Sequence, residues 1–291
     1  MNYIFIDSKD GIEKVGIVEN DKLVEFYLEY DSKNQLVGNI YRARVVNVLQ
    51  GMEAAFVDIG DRKNAYLDLK SALGKIARHK KDEVSIRDII KAGQELIVQV
   101  LKEPTENKGA KVTTNITLPG RFIVLTPYSE KISISRKIIE EDEINRLKTI
   151  GEKIRHEDMG MIFRTNSKGV NEKLLSDEYF SLIKVFKKIE REKNFLPCPK
   201  LLYREMSLSE KIIRDSFNDK TDRVIINDKE KYDRFLELED ILFPGLKEKL
   251  LYDKDFDIHY NSEISKGINT ALDRKVDLKS GGYIVIDETE A

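Results

Sequence analysis

The chain is short of cysteine, histidine and long apolar runs, and each shortage removes a class of protein. With a single cysteine, Cys198, in 291 residues, neither a disulfide framework nor a thiolate zinc cage can be assembled from this sequence. The three histidines, His79, His156 and His259, fall in a basic loop, a charged turn and an α/β connection, and no two are spaced as metal ligands. They carry no catalytic assignment. No run of about 18 apolar residues offers a membrane span. Met1 leads directly into the strand-like NYIFID instead of the basic start and apolar core of a signal peptide. Together these shortages predict a cytoplasmic protein. The net charge of −2 gives no global signal of a polyanion partner, but it hides an asymmetry. Residues 38–117 carry 14 Lys and Arg against 10 Asp and Glu, a local excess of +4, as expected if one module alone meets nucleic acid.

What the chain does have is an ordinary soluble composition, 41% hydrophobic and 35% charged, over a length that suits two or more domains. NYIFID, IEKVGIVEN and KLVEFYLEY predict three short strands joined by Asp/Gly and Asn-Asp turns, the last two forming a hairpin around Glu19-Asn20-Asp21. Residues 38–69 (GNIYRARVVNVLQGMEAAFVDIGDRKNAYLDL) are strand-rich again, with turns centred on Gly51 and Gly60. After the basic, loop-like KIARHKKDEVSIRDIIKAG, strands in QELIVQVLKEP and GAKVTTNITL complete a set of five, which suits a small OB-type barrel. RFIVLTPYS, KISISRK and GMIFRT add strands around the helical IIEEDEINRLKTIGEKI. Residues 171–194 space Leu174, Leu175, Phe180, Ile183, Phe186 and Ile189 as one apolar stripe of a long helix, which Pro197 and Pro199 end. From Leu208 onward helices alternate with the strands RVIIND and KLLYD, an α/β pattern. In the closing SGGYIVIDETEA, the run Tyr283-Ile284-Val285-Ile286 predicts a strand buried on both faces, and the acidic residues after it read as a lead-in to further structure.

Residues 38–69 resemble the S1-type RNA-binding barrel of the ribonuclease E/G family, and NKGAKVTTNITLPGRFIVLTP resembles the segment leading from that barrel into the family's 5′-phosphate sensor. The likeness continues through ISISRKI, GMIFRT, the α/β stretch and SGGYIVIDETEA, so it runs over essentially the whole chain in family order. It implies an α+β multidomain fold in which an RNase H-like α/β domain, residues 1–37 and 213–275, is interrupted by an S1-type OB barrel at 38–118 and a 5′-sensor subdomain at 119–212. Residues 276–291 would then open a DNase I-like catalytic domain. In the family that domain carries the aspartates that hold a catalytic Mg2+, and a cysteine-pair zinc link comes later. The resemblance puts both beyond residue 291, so this stretch is expected to supply grip and end-sensing, not hydrolysis, for an endoribonuclease acting on single-stranded RNA. Asp287 is the nearest carboxylate and does not match a ligand position. A homo-oligomer is the expectation for the full-length enzyme.

The resemblance also assigns site residues, each of which has a plainer reading. Phe56 and Tyr66, ten residues apart on neighbouring strands, match RNA-channel aromatics that stack on unpaired bases; read from the strands alone, either is as well placed in a core. Lys108, in the glycine-flanked loop, matches a channel lysine that meets backbone phosphate, or is a solvated loop lysine. Arg164 and Thr165, with Gly120 and the amide of Val124, match the family's pocket for a 5′-monophosphate, and Arg136 and Lys137 would add positive charge nearby. A guanidinium fork beside a hydroxyl suits phosphate oxygens, yet Arg-Thr is also an unremarkable strand end. The expected partner is single-stranded RNA with a 5′-monophosphate. A different class remains open at this point: a stand-alone S1-type RNA-binding protein of translation or ribosome assembly with no nuclease activity.

Overall fold

A computed structural model describes residues 1–30, 35–73, 84–156, 158–193, 195, 197–242, 245–278 and 280–287, so that His79 and the last four residues lie outside the described part. The chain divides into two compact units, Asn34–Glu205 and the pair of segments Met1–Lys33 and Met206–Ala291.

The chain opens on an antiparallel meander of β1 (Tyr3–Lys9), β2 (Ile12–Glu19) and β3 (Lys22–Tyr30). Both hairpins turn on two residues with positive φ, Asp10 and Gly11 at 52° and 73°, Asn20 and Asp21 at 50° and 62°. That backbone matches strand twist, and Asp, Asn and Gly tolerate it. The sequence motif around Asn20-Asp21 is therefore a hairpin as expected.

Five strands follow: β4 (Ile40–Leu49), β5 (Ala54–Asp58), β6 (Ala65–Asp68), β7 (Glu95–Lys102) and β8 (Lys111–Thr113). The ladder runs β4-β5-β6-β8-β7 and returns to β4, which closes an OB-like barrel. Alternate residues fill it, among them Ala43, Val45, Ala55, Val57, Ala65, Leu67, Val98 and Val112. Small and branched side chains suit an interior this narrow. Among the described residues between β6 and β7 are two four-residue helices, α1 (Leu69–Ala72) and α2 (Ile86–Ile89).

A second sheet is built from β9 (Leu118–Pro119), β10 (Ile123–Thr126), β11 (Ser129–Ile134) and β12 (Met159–Phe163), in the order β11-β12-β10-β9. Helices α3 (Glu141–Ile154) and α4 (Glu172–Lys193) pack on it, burying Leu147, Leu175, Tyr179 and Phe186 against Ile123, Leu125, Met161 and Phe163. The apolar stripe of α4 is rotated slightly from the expected one. Leu174 and Phe180 are 50% and 40% exposed, and Tyr179 and Leu182 are buried instead. The helical period explains this, since 175, 179, 182 and 186 follow i, i+4, i+7 and i+11 while 174 and 180 flank that line. Ile40 and Ile97 of the barrel belong to this same core. Buried Gln99 of β7 donates to Gly38 O and Thr117 O and accepts from Thr117 N, fastening the connection between barrel and sheet. Strand β13 (Lys200–Tyr203) then returns to pair with β4.

The last segment alternates α5 (Leu208–Ser216), β14 (Arg223–Ile226), α6 (Lys229–Leu242), β15 (Leu250–Tyr252) and α7 (Ser262–Leu272). β14 lies parallel to β1, Tyr3 opposite Arg223 and Ile6 opposite Ile226, and β15 lies parallel to β14, so the sheet order is β15-β14-β1-β2-β3. Buried carboxylates tie the two sequence segments together. Asp7 accepts from Asn227 Nδ2 at 2.7 Å, and Glu13 accepts from Ser209 N at 2.8 Å and pairs with Lys231. Finally β16 (Lys275–Asp277) and β17 (Tyr283–Val285) form a two-stranded ribbon. The expected strand is present here, but it is not buried: Tyr283, Ile284, Val285 and Ile286 are 61, 50, 47 and 62% exposed. A ribbon of two short strands has no second layer of its own to cover an apolar face.

The barrel depends on one close backbone approach. A Cβ on Gly109 would stand 2.0 Å from the carbonyl oxygen of Asn64, at the entrance to β6. Gly109→Ala is expected to destabilise the barrel by about 1–3 kcal/mol through forced backbone shifts. Thermal unfolding followed by circular dichroism checks it; an unchanged midpoint would mean the loop has room to yield.

Candidate nucleic-acid interface

Phe56 and Tyr66 are directly opposite each other on β5 and β6. Because their strand neighbours Ala55, Val57, Ala65 and Leu67 turn inward, the two-residue period of the strand turns both rings outward, where each is only partly buried. Their centroids are 6.1 Å apart at an interplanar angle of 64°, an edge-to-face pair that leaves ring face on the barrel exterior. Lys111 of β8 is in register with Tyr66 and forms an ion pair with Asp68 at 2.5 Å. Lys108 is exposed on the loop leading into β8, where Thr105 N donates to Lys108 O at 2.8 Å and Lys108 N donates back at 3.2 Å. Lys63 donates to Glu106 O in the same loop. The structure thus brings the two aromatics together and sets Lys108 on the loop beside the strand that flanks Tyr66.

The second candidate group gathers at one end of the β11-β12-β10-β9 sheet. β11 and β12 are parallel and end together, Ile134 opposite Phe163, so the residues after them, Ser135 and Arg164, emerge side by side. Ser135 N donates to Phe163 O at 2.8 Å. The hydroxyls of Ser135 and Thr165 are 3.0 Å apart and share a hydrogen bond, and the exposed Arg136 and Lys137 follow. Antiparallel β10 starts at this same end, which brings the turn Gly120–Phe122 against Arg164. The Arg164 amide donates to Phe122 O at 2.7 Å, and its guanidinium donates to Gly120 O at 2.6 Å and to Arg121 O at 3.4 Å. The Arg121 guanidinium lies 5.2 Å from the centre of the Phe122 ring. Four cationic side chains, Arg121, Arg136, Lys137 and Arg164, therefore belong to one sheet end, together with two hydroxyls. Val124 sits further into the ladder, opposite Ile162 of β12 and Pro119 of β9.

Gly120 has a role the sequence did not suggest. Its amide donates to Ile123 O at 2.7 Å, and a Cβ there would come within 2.7–2.9 Å of the Glu178 carboxylate. The missing side chain makes room for Glu178 of α4, which accepts from the amides of Arg121, Phe122 and Ile123 at 2.6, 2.8 and 2.8 Å. Burial pushes the Glu178 carboxyl above the usual carboxylate range, while the three amides and the nearby Arg164 charge pull the other way. The loop beyond Thr165 is fixed from α3: Glu143 accepts from Gly169 N at 2.9 Å and Arg146 donates to Val170 O at 2.9 Å. The Arg146 guanidinium beside Glu143 holds that carboxyl down at about 2. Sequence reading missed Ser135 and Glu178. Ser135 could have been noticed as the hydroxyl directly before Arg136-Lys137, and Glu178 as a carboxylate set among the apolar stripe residues Leu175, Tyr179 and Leu182.

The sequence model of the Ribonuclease E/G family matches residues 117–291, well over half of the chain. The chain belongs to the ribonuclease E/G family. It is 36% identical to ribonuclease G of Haemophilus influenzae over 285 residues, which is 96% of this chain and 58% of that protein. Its likeness to ribonuclease G of Escherichia coli is 36% over 288 residues with the same coverage. Ribonuclease E of a Nostoc species is 35% identical over 260 residues, 88% of this chain and 38% of its own. The chain therefore spans 58% of the length of the ribonuclease G proteins it matches. Among the described residues, no helix is long and apolar enough to cross a membrane.

If the Phe56–Tyr66 pair is a stacking platform, Phe56→Ala and Tyr66→Ala each weaken binding of a single-stranded oligoribonucleotide by about 1–3 kcal/mol per stacked base, with little change in melting temperature. Fluorescence anisotropy and thermal unfolding measured together separate this from a packing role, which lowers stability instead.

Proposed function

We propose that this chain is the RNA-gripping and 5′-end-sensing portion of a ribonuclease E/G-type endoribonuclease that cleaves single-stranded RNA in RNA processing and decay. The observation that carries the reading is the convergence of Arg164, Thr165, Ser135 and the Gly120–Phe122 turn at one sheet end, in a chain whose relatives are named ribonuclease G and ribonuclease E. A guanidinium oriented by the carbonyls of Gly120 and Arg121 lies in a fixed plane, a shape suited to the oxygens of a terminal monophosphate. The Thr165 hydroxyl adds a further donor, and Arg136 and Lys137 raise the local positive potential. By resemblance Gly120 and Val124 belong to the same proposed pocket, with the Gly120 amide taken by Ile123 O and Val124 lying further into the ladder. On the barrel, Phe56 and Tyr66 stack bases while Lys108 meets backbone phosphate.

The remaining assignments belong to the same proposal. The sheet order β15-β14-β1-β2-β3, with an antiparallel meander beside parallel strands, supports an RNase H-like scaffold split between residues 1–37 and 213–275 around the barrel (38–118) and the sensor (119–212). The Mg2+ implied for the whole enzyme would supply activation of water for phosphodiester hydrolysis, and no residue of this chain is assigned to hold it. The described residues bring no three His, Cys, Asp or Glu side chains together as a metal site. Asp287 is engaged by Arg274, whose Nε and Nη2 donate at 2.5 and 3.0 Å, a cation that competes with a metal. In this proposal the share of the chain is binding: it holds the strand and reads its end, and residues 276–291 lead towards the catalytic domain and the later zinc link. The comparisons give no support to a stand-alone RNA-binding protein. A cytoplasmic, homo-oligomeric enzyme is the corresponding proposal for the whole protein.

Arg164→Ala tests the end-sensing reading. Loss of charge-assisted bonds of about 1.5–3 kcal/mol each costs a monophosphorylated oligonucleotide at least about tenfold in affinity. A matched 5′-hydroxyl oligonucleotide, held by the barrel, is expected to bind as before. Equal losses for both ends would make Arg164 a general backbone contact; no loss for either would make it a structural strand end.

A further inference from the structure

A carboxylate beneath an anion site runs against simple electrostatics, and Glu178 therefore requires an explanation. It reaches from α4 to the turn that precedes β10 and accepts from the amides of Arg121, Phe122 and Ile123 at 2.6, 2.8 and 2.8 Å. The other side of that turn is held by Arg164: its amide donates to Phe122 O at 2.7 Å and its guanidinium to Gly120 O at 2.6 Å. Phe122 is thus fixed through its N–H by Glu178 and through its carbonyl by Arg164. The carbonyls that orient the Arg164 guanidinium belong to a turn whose shape depends on the Glu178 bonds, since three amides of a partly buried turn would lose their acceptor without them. Gly120, whose Cβ would collide with the carboxylate at 2.7 Å, is the sequence's accommodation of the same contact.

We propose that Glu178 is a positioning residue for 5′-end recognition, which by fixing the Gly120–Ile123 turn sets the direction in which Arg164 presents its guanidinium to a terminal phosphate. The inference rests on the reading of this sheet end as a 5′-monophosphate site. It makes a prediction of opposite sign to electrostatics. Removing a negative charge beside an anion site strengthens phosphate binding if charge is all that matters, whereas loss of a positioning group weakens it.

The test uses this chain as wild type, Glu178→Gln, Glu178→Asp, Arg164→Ala and the Glu178→Gln/Arg164→Ala double variant, with two oligoribonucleotides of one sequence that differ only in a 5′-monophosphate or 5′-hydroxyl. Glu178→Gln keeps the size of the side chain but turns an amide NH2 towards backbone N–H donors. It is expected to lower the monophosphate-to-hydroxyl affinity ratio by about tenfold, leave the hydroxyl oligonucleotide within about twofold of wild type, and add nothing further in the Arg164→Ala background. Glu178→Asp keeps the charge, retracts it by one methylene and should fall between the two; it gives the decision if Glu178→Gln does not fold. A ratio unchanged or raised in Glu178→Gln, or losses that add in the double variant, overturns the inference while leaving Arg164 as an end sensor. A wild type that does not distinguish the two ends overturns the end-sensing reading itself, and the inference falls with it.

Discussion

Strand β4 is the constraint on which the larger unit depends. It pairs with β5 along its second half and with β7 and β13 along its first, so one continuous strand closes the barrel and also receives the chain returning from the second sheet. Its register alternates Ala43 and Val45 into the barrel, while Ile40 at its start enters the core formed by α3, α4 and the second sheet. A slip of one residue would exchange these faces and empty both cores. With Gln99 bonded to residues on both sides of the connection, the barrel and the sheet share packed residues and hydrogen bonds instead of hanging from a bare linker.

The candidate anion site is a consequence of register too. Parallel β11 and β12 end level, and antiparallel β10 begins where they end, so three chain segments distant in sequence deliver their first loop residues to one place. Loops after strands are where a rigid sheet can present function without sacrificing its own hydrogen bonds. Glu178 contributes the local price, a partly buried carboxylate whose ionised form burial disfavours, offset by three amide bonds and a neighbouring guanidinium. Loss of any partner in such a network leaves the others unsatisfied.

The smaller unit answers a different problem. Two sequence segments about two hundred residues apart must form one sheet, and β1 does this by accepting β2 on one edge and parallel β14 on the other. Both faces of β1 are covered, Ile4 and Ile6 clustering with Ile212, Ile213 and Phe235 and Tyr3 and Phe5 with Ile258 and Ile264, which is why Tyr3–Asp7 is buried throughout. Asp7 and Glu13, each bonded to groups of the distant segment, make the pairing specific as well as apolar.

By itself the sequence determined the elements with strong local signals. The hairpin at Asn20-Asp21, the barrel strands, the α/β alternation after Leu208 and the family all follow from short-range pattern and motif, because period and turn chemistry are local properties. Phe56 and Tyr66 could be named from motif, but not whether their rings lay inside or outside; strand parity against the barrel interior decided that. Tertiary structure alone decided the rest. Tyr283–Ile286 has the composition of a buried strand and is exposed, because burial needs a second layer that no local pattern supplies. Arg164 and Thr165 were legible as a fork and a hydroxyl, whereas Ser135 and Glu178 carry only weak local signals. Their roles exist only once sheet register brings residues 120, 135, 164 and 178 together, and such meetings are set by packing between segments far apart in the chain.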